Sequence, residues 1–99
     1  MRLSATQIAT IKTEAAAIFG DGTEVVLFGS RLNDDARGGD IDLLVRLQEP
    51  VIDPALLSGQ LSAKLMRAFH GRKVDVVIQA PNLTQLPIHQ VANQEGRVL

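Results

Sequence analysis

The spacing of apolar and polar positions divides the chain into a succession of short elements. Ser4 and, three residues on, Gln7 carry the pattern of a capping box, and Ile8, Ile11, Ala15, Ile18 and Phe19 then fall on one helical face until Gly20 and Gly22 stop it. Glu24 to Phe28 is a nearly continuous apolar run that ends abruptly at Gly29, as a buried strand feeding a tight turn does. After a polar stretch with three glycines over residues 29–39, Asp40-Ile41-Asp42-Leu43-Leu44-Val45-Arg46 reads as a second strand. Asp53 before Pro54 predicts an N-cap, with Leu57, Leu61, Leu65 and Phe69 marking a helix that runs to His70-Gly71. Lys73 to Ile78 is a third strand closed by Pro81, and residues 84 to 96 predict a last helix with Pro87 in its first turn. The order helix, strand, turn, strand, helix, strand, helix implies an α/β protein with a small sheet and helices packed against it.

Two of these strands carry acids where apolar residues are expected. Alternation puts Asp40 and Asp42 on one face of their strand, about 7 Å apart along the backbone, and Ile41, Leu43 and Val45 on the other. Asp75 interrupts an otherwise apolar strand, and an ionised carboxylate there is expensive to bury without compensation. If the third strand lies beside the second, Asp75 joins the pair, and like charges about 4 Å apart repel by roughly 4 kcal/mol at an effective dielectric near 20. Such a cluster takes up a proton or binds cations. Hard oxygen ligands on rigid strands suit Mg²⁺ or Mn²⁺, which also hold nucleotide phosphates; with two metals, one activates an incoming hydroxyl and the other steadies pyrophosphate. The plainer alternative for Asp75 is an ion pair with Lys73 or Arg46 at a strand edge.

The turn before the acidic strand adds a second motif. Gly29-Ser30 lets the backbone bend sharply, leaves N–H groups free for a phosphate and supplies a hydroxyl; as an ordinary turn, Ser30 would only cap a helix. Arg31 and Arg37 either neutralise a triphosphate or pair with Asp34 and Asp35, and Gly38-Gly39 either admits the nucleotide or loosens the loop. His70 and His89 lack a second ligand at useful spacing and read as surface or helix-end histidines. Gln60, Lys64 and Arg67 lie on the polar face of the second helix, solvated or facing a partner.

Composition narrows the function classes. The chain has 99 residues, room for one modest core, with no repeat, low-complexity tract or dividing linker. A net charge of −1 without a Lys/Arg cluster, and three Phe with no Tyr or Trp, disfavour extended nucleic-acid binding and base stacking. The absence of cysteine excludes thiolate metal sites and cysteine nucleophiles. The N-terminus turns polar at once and no apolar run approaches the roughly 18 residues of a membrane span, so a cytoplasmic protein with no membrane partner is expected.

Taken together, Gly29-Ser30-Arg31, nine further residues, Asp40-Ile41-Asp42-Leu43-Leu44-Val45 and then Lys73-Val74-Asp75-Val76-Val77-Ile78 resemble the minimal nucleotidyltransferases of the DNA polymerase β superfamily. The resemblance covers nearly all of the chain, read as one minimal domain over residues 1–99, and Ile88 to Ala92 with Glu95-Gly96 resembles the family's closing helix. It implies a mixed sheet with helices, an α+β arrangement in which Gly29, Ser30 and Arg31 bind the nucleotide and Asp40 and Asp42 ligate the metals. Asp75 would be the third carboxylate, assisting deprotonation of the acceptor. The implied reaction moves a nucleoside monophosphate from an NTP, with ATP expected, to a hydroxyl. Members this short resemble antitoxins encoded beside a HEPN-domain toxin, which implies AMP transfer to toxin tyrosines within a hetero-oligomer. Two departures stand out. Many relatives follow Gly-Ser-Arg with a small residue and Arg-Gly, whereas this chain has Leu32-Asn33-Asp34-Asp35 before Arg37-Gly38; and Gly39 stands where a serine is frequent, removing one hydroxyl.

Three functions compete on these residues: an adenylyltransferase acting on a partner protein or an RNA end, a non-catalytic antitoxin that neutralises its partner by binding, and an Asp-x-Asp sugar-nucleotide transferase. The last is weakened by the lack of room for an acceptor domain, and the intact Asp40, Asp42 and Asp75 favour the first.

Overall fold

The computed structural model describes residues 3–29 and 40–99. Helix α1 (Ala5–Phe19) starts as its sequence dictates: Ser4 Oγ accepts from the Gln7 N–H, Gln7 Oε1 accepts from the Ser4 N–H, and Gly20 ends the helix at φ 100°. Strands β1 (Glu24–Phe28) and β2 (Ile41–Arg46) follow, then α2 (Pro54–Ala68), β3 (Val74–Gln79), α3 (Pro87–Glu95) and the two-residue β4 (Arg97–Val98). The sheet order is β3-β2-β1-β4. β1 runs antiparallel to β2 and β4, and β2 runs parallel to β3, which makes the sheet mixed as the resemblance implied.

Alternation along the strands builds two cores. Val25 and Leu27 of β1, Ile41, Leu43 and Val45 of β2, and Val74 of β3 meet Ile11 and Ala15 of α1 and Leu61 and Leu65 of α2. Val26, Phe28 and Leu44 point the other way, against Ala92 of α3. Each fully buried leucine among these contributes roughly 1.5–3 kcal/mol. From Leu43 to Val45 the central strand is buried on both faces, which explains its unbroken apolar run. Gly96 is the point of closest approach: a Cβ there would run into the Val26 side chain and the carbonyls of Ala92 and Leu27, so only glycine lets β4 close onto β1.

Four local expectations are revised. Asp53 does precede the first turn of α2, but it sits in the left-handed region (φ 59°) and its side chain caps nothing. α3 begins at Pro87, three residues later than the pattern suggested, because Leu86 is held extended (φ −103°, ψ 164°), as a residue before proline tends to be. β4 carries too few residues to show any pattern. His89 stands at a helix end, in the first turn of α3, but not at the surface: it is 4% exposed, its Nδ1 accepts from the Leu86 N–H at 2.8 Å, and its Nε2 carries a hydrogen to the Ile78 carbonyl at 2.9 Å. That second bond protects the sheet edge. The carbonyls of Lys73 and Gln79 face β2, so alternation turns those of Val74 and Ile78 outward, where Ser62 Oγ and His89 satisfy them. Among the described residues no helix is long and apolar enough to cross a membrane.

Candidate functional site

The acids gather at one end of the sheet because of how the strands run. The C-terminal end of β1 and the N-terminal ends of β2 and β3 coincide there, since Phe28 pairs with Asp42 and Asp42 pairs in turn with Asp75. Neighbouring strands lie about 4.8 Å apart, so these two carboxylates share a face side by side. One register step earlier, Asp40 precedes Ile41 and Lys73 precedes Val74, and Ile41 and Val74 are themselves partners. The Ile41 N–H donates to the Lys73 carbonyl at 3.0 Å, which ties the two approaches together. The face thus carries a two-by-two array, Asp40 beside Lys73 and Asp42 beside Asp75.

Lys73 holds this array electrostatically. Its Nζ stands 3.8 Å from Asp40 Oδ2 and 4.0 Å from Asp75 Oδ1. One of the two partners considered for Asp75 is therefore present, but it is shared with Asp40. The other, Arg46, lies at the far end of β2 and is engaged by Glu24 and by Asn93. Asp42 is half-buried. Burial, then the neighbouring Asp75 and Asp40 carboxylates, push its carboxyl above the ordinary carboxylate value, and Lys73 pulls it partly back.

Gly29 shapes the other side of Asp42. It follows β1 directly and takes φ +78°, a left-handed conformation that suits glycine. A Cβ built on it would collide with Asp42 Oδ2, with Asp42 Cγ at 3.2 Å. The Asp42 carboxylate therefore occupies the space that the missing side chain leaves. Of the expected nucleotide-binding residues, Gly29 is placed beside the acids, whereas Ser30 and Arg31 lie outside the described residues, as do Arg37, Gly38 and Gly39.

The side chains suit a divalent cation. The donors are hard carboxylate oxygens, and an ammonium already stands as a cation between Asp40 and Asp75. In this arrangement no three acidic or histidine side chains among the described residues converge closely enough to enclose a metal. The site is an open sheet end. A groove of about 470 Å³ opens at the opposite end, lined by Phe19, Leu47, Val51 and Ile52 among others. The sequence pattern points to Asp40, Asp42, Asp75 and Gly29 and offers Lys73 only as a neutralising neighbour of Asp75; its place two residues before Asp75, on the same face, is the signal for a larger part.

A family model described as a nucleotidyltransferase domain matches residues 8–97, a span that runs from within α1 to the first residue of β4. No curated protein matches the chain. The matched span contains Gly29, Asp40, Asp42 and Asp75, which the fold brings to one sheet end, and the family generally uses a divalent metal and a nucleoside triphosphate. The chain belongs to the nucleotidyltransferase domain family, and its general activity is nucleotidyl transfer.

Proposed function

We propose that the protein transfers AMP from ATP to a hydroxyl of a partner protein, a tyrosine of a HEPN-domain toxin, and thereby acts as the antitoxin of a cytoplasmic toxin–antitoxin pair. The observation that carries the chemistry is the register of Asp75 with Asp42, with Asp40 two residues earlier on the same face. Asp40 and Asp42 hold Mg²⁺ or Mn²⁺, and Asp75 receives the proton of the acceptor hydroxyl. A bound divalent ion supplies charge neutralisation for the phosphates and Lewis acidity toward the hydroxyl. The acceptor oxygen bonds to the α-phosphorus as the bond to the pyrophosphate oxygen breaks, and pyrophosphate leaves with the electron pair. Gly29, with Ser30 and Arg31 after it, binds the triphosphate at the turn. The resemblance of the motifs to short antitoxin-type relatives supports the choice of acceptor.

The test is incubation of the protein with labelled ATP and Mg²⁺, with and without the product of the neighbouring gene, reading the label by mass. Label on the partner that disappears with Asp40→Asn supports AMP transfer and identifies the acceptor residue. A stable complex without label supports a second reading, a non-catalytic antitoxin. That reading draws on the exposed apolar Leu86, Ile88 and Val91 at α3, which offer a surface to a partner. Under it, Asp40→Asn and Asp42→Asn leave neutralisation intact.

A further inference from the structure

Three carboxylates at adjacent register positions repel one another, and among the described residues Lys73 is the cation placed between them. Lys73 lies within 4.0 Å of two carboxylate oxygens, Asp40 Oδ2 just before β2 and Asp75 Oδ1 on β3. Its backbone is fixed, since the Lys73 carbonyl accepts from the Ile41 N–H, but its side chain is 62% exposed. The ammonium can therefore leave the acids without disturbing β2 or β3. A divalent ion taking the same oxygens meets a positive charge already in place.

We propose that Lys73 is a resident counter-cation that neutralises Asp40 and Asp75 in the metal-free protein and is displaced by the divalent metal, so that Lys73 sets how tightly the site binds it. This inference rests on the reading of Asp40, Asp42 and Asp75 as metal ligands and adds a positioning role for a residue outside that set. Lys73 offsets the charge of the acids when no metal is bound, and it makes metal binding an exchange of one cation for another. An ammonium beside two ligand oxygens opposes a doubly charged ion by about tenfold in affinity at low ionic strength, and salt screens the effect.

Lys73→Met keeps most of the aliphatic stem and removes the charge; Lys73→Arg keeps the charge. The measurement is the dissociation constant of Mn²⁺ from the whole chain, read from the electron paramagnetic resonance signal of free Mn²⁺ at low and high salt, together with thermal melting with and without Mn²⁺. The expected result is that Lys73→Met binds Mn²⁺ about tenfold more tightly than the wild type at low salt and less so at high salt. It also melts at a lower temperature than the wild type without metal, and the gap closes at saturating Mn²⁺. Lys73→Arg stays close to the wild type in both. Affinity of Lys73→Met within twofold of the wild type, or weaker, overturns the proposal while leaving the metal site standing. Failure of the wild type to bind Mn²⁺ in a manner that Asp42→Asn abolishes overturns the metal reading and this inference with it.

Discussion

Gly29→Ala tests whether the turn and the acidic strand form one unit. Two costs are expected. The first is conformational: at φ +78° an alanine pays roughly 1–2 kcal/mol for the left-handed region. The second is steric, because the new Cβ collides with Asp42 Oδ2, and turning the carboxylate away from its rotamer costs about 0.5–1.5 kcal/mol. The sum is about 1.5–3.5 kcal/mol, which at roughly 4–8 °C per kcal/mol for a domain of this size lowers the melting temperature by about 6–28 °C. Gly22 is a matched control. Its φ is +84°, and a Cβ there meets nothing within 4 Å, so Gly22→Ala shows the conformational cost alone.

The assay is thermal unfolding of the metal-free protein followed by circular dichroism, completed by a double-mutant cycle. Asp42→Ala removes the colliding oxygen and leaves its Cβ at 3.4 Å, an ordinary contact. In that background Gly29→Ala should cost about 1 kcal/mol less than in the wild type. Nucleotidyl transfer should fall with Gly29→Ala as it does with Asp42→Asn, and survive in Gly22→Ala. Equal costs at Gly29 and Gly22, with no coupling to Asp42, would refute the packing of this carboxylate against the turn.

The raised carboxyl of Asp42 fixes the sign of a pH effect. The folded chain holds this proton more tightly than the unfolded chain, so the stability Asp42 contributes is full below its ordinary value of 3.8 and is lost as pH rises through the raised folded value. Asp42→Asn should therefore stabilise the metal-free protein at neutral pH, by less than about 1 kcal/mol because the group is partly solvated, and lower stability in denaturant melts at pH 7 would contradict this. His89→Leu leaves the Leu86 N–H and the Ile78 carbonyl without partners and should cost about 2–4 kcal/mol, seen as a lower melting temperature and faster hydrogen exchange in α3; an unchanged melt would mean the bonds contribute nothing. Gly96→Ala has ordinary backbone angles but no room, so it should release β4 from β1, read as loss of exchange protection at the Leu99 N–H that donates to the Val25 carbonyl.

What could be read in the sequence was whatever is decided locally. The Ser4 and Gln7 exchange needs only residues three apart, and the inward set Ile41, Leu43 and Val45 follows from alternation alone. The adjacency of β2 and β3 was conditional, because strand pairing is settled by packing α2 across residues 54–68 and not by either strand. Of the two readings of His89, the helix-end one holds; its burial was not legible because its partners are backbone groups of Leu86 and Ile78, which leave no trace in side-chain spacing. The stop of α2 at Ala68 was close to expectation, yet Asp53 fills the cap position without capping, because residue identity does not report the left-handed φ that turns its side chain away.

The placement of the acids depends on the residues that follow them. Leu43, Leu44 and Val45 are fully buried between α1 and α2 on one side and α3 on the other, so β2 cannot shift by one residue without turning that whole set to the wrong face. Asp42 is attached directly to that clamped run, and Asp75 is held level with it by the ladder that continues through Leu43 and Val76 to Arg46 and Gln79. The repulsion among the carboxylates is thus borne by core strands that have no alternative register, and Lys73 needs only to offset charge, not to hold the backbone. A site of like charges can persist at a sheet end for this reason: the packing that fixes the acids lies behind them, where neither a proton, a metal nor a nucleotide has to displace it.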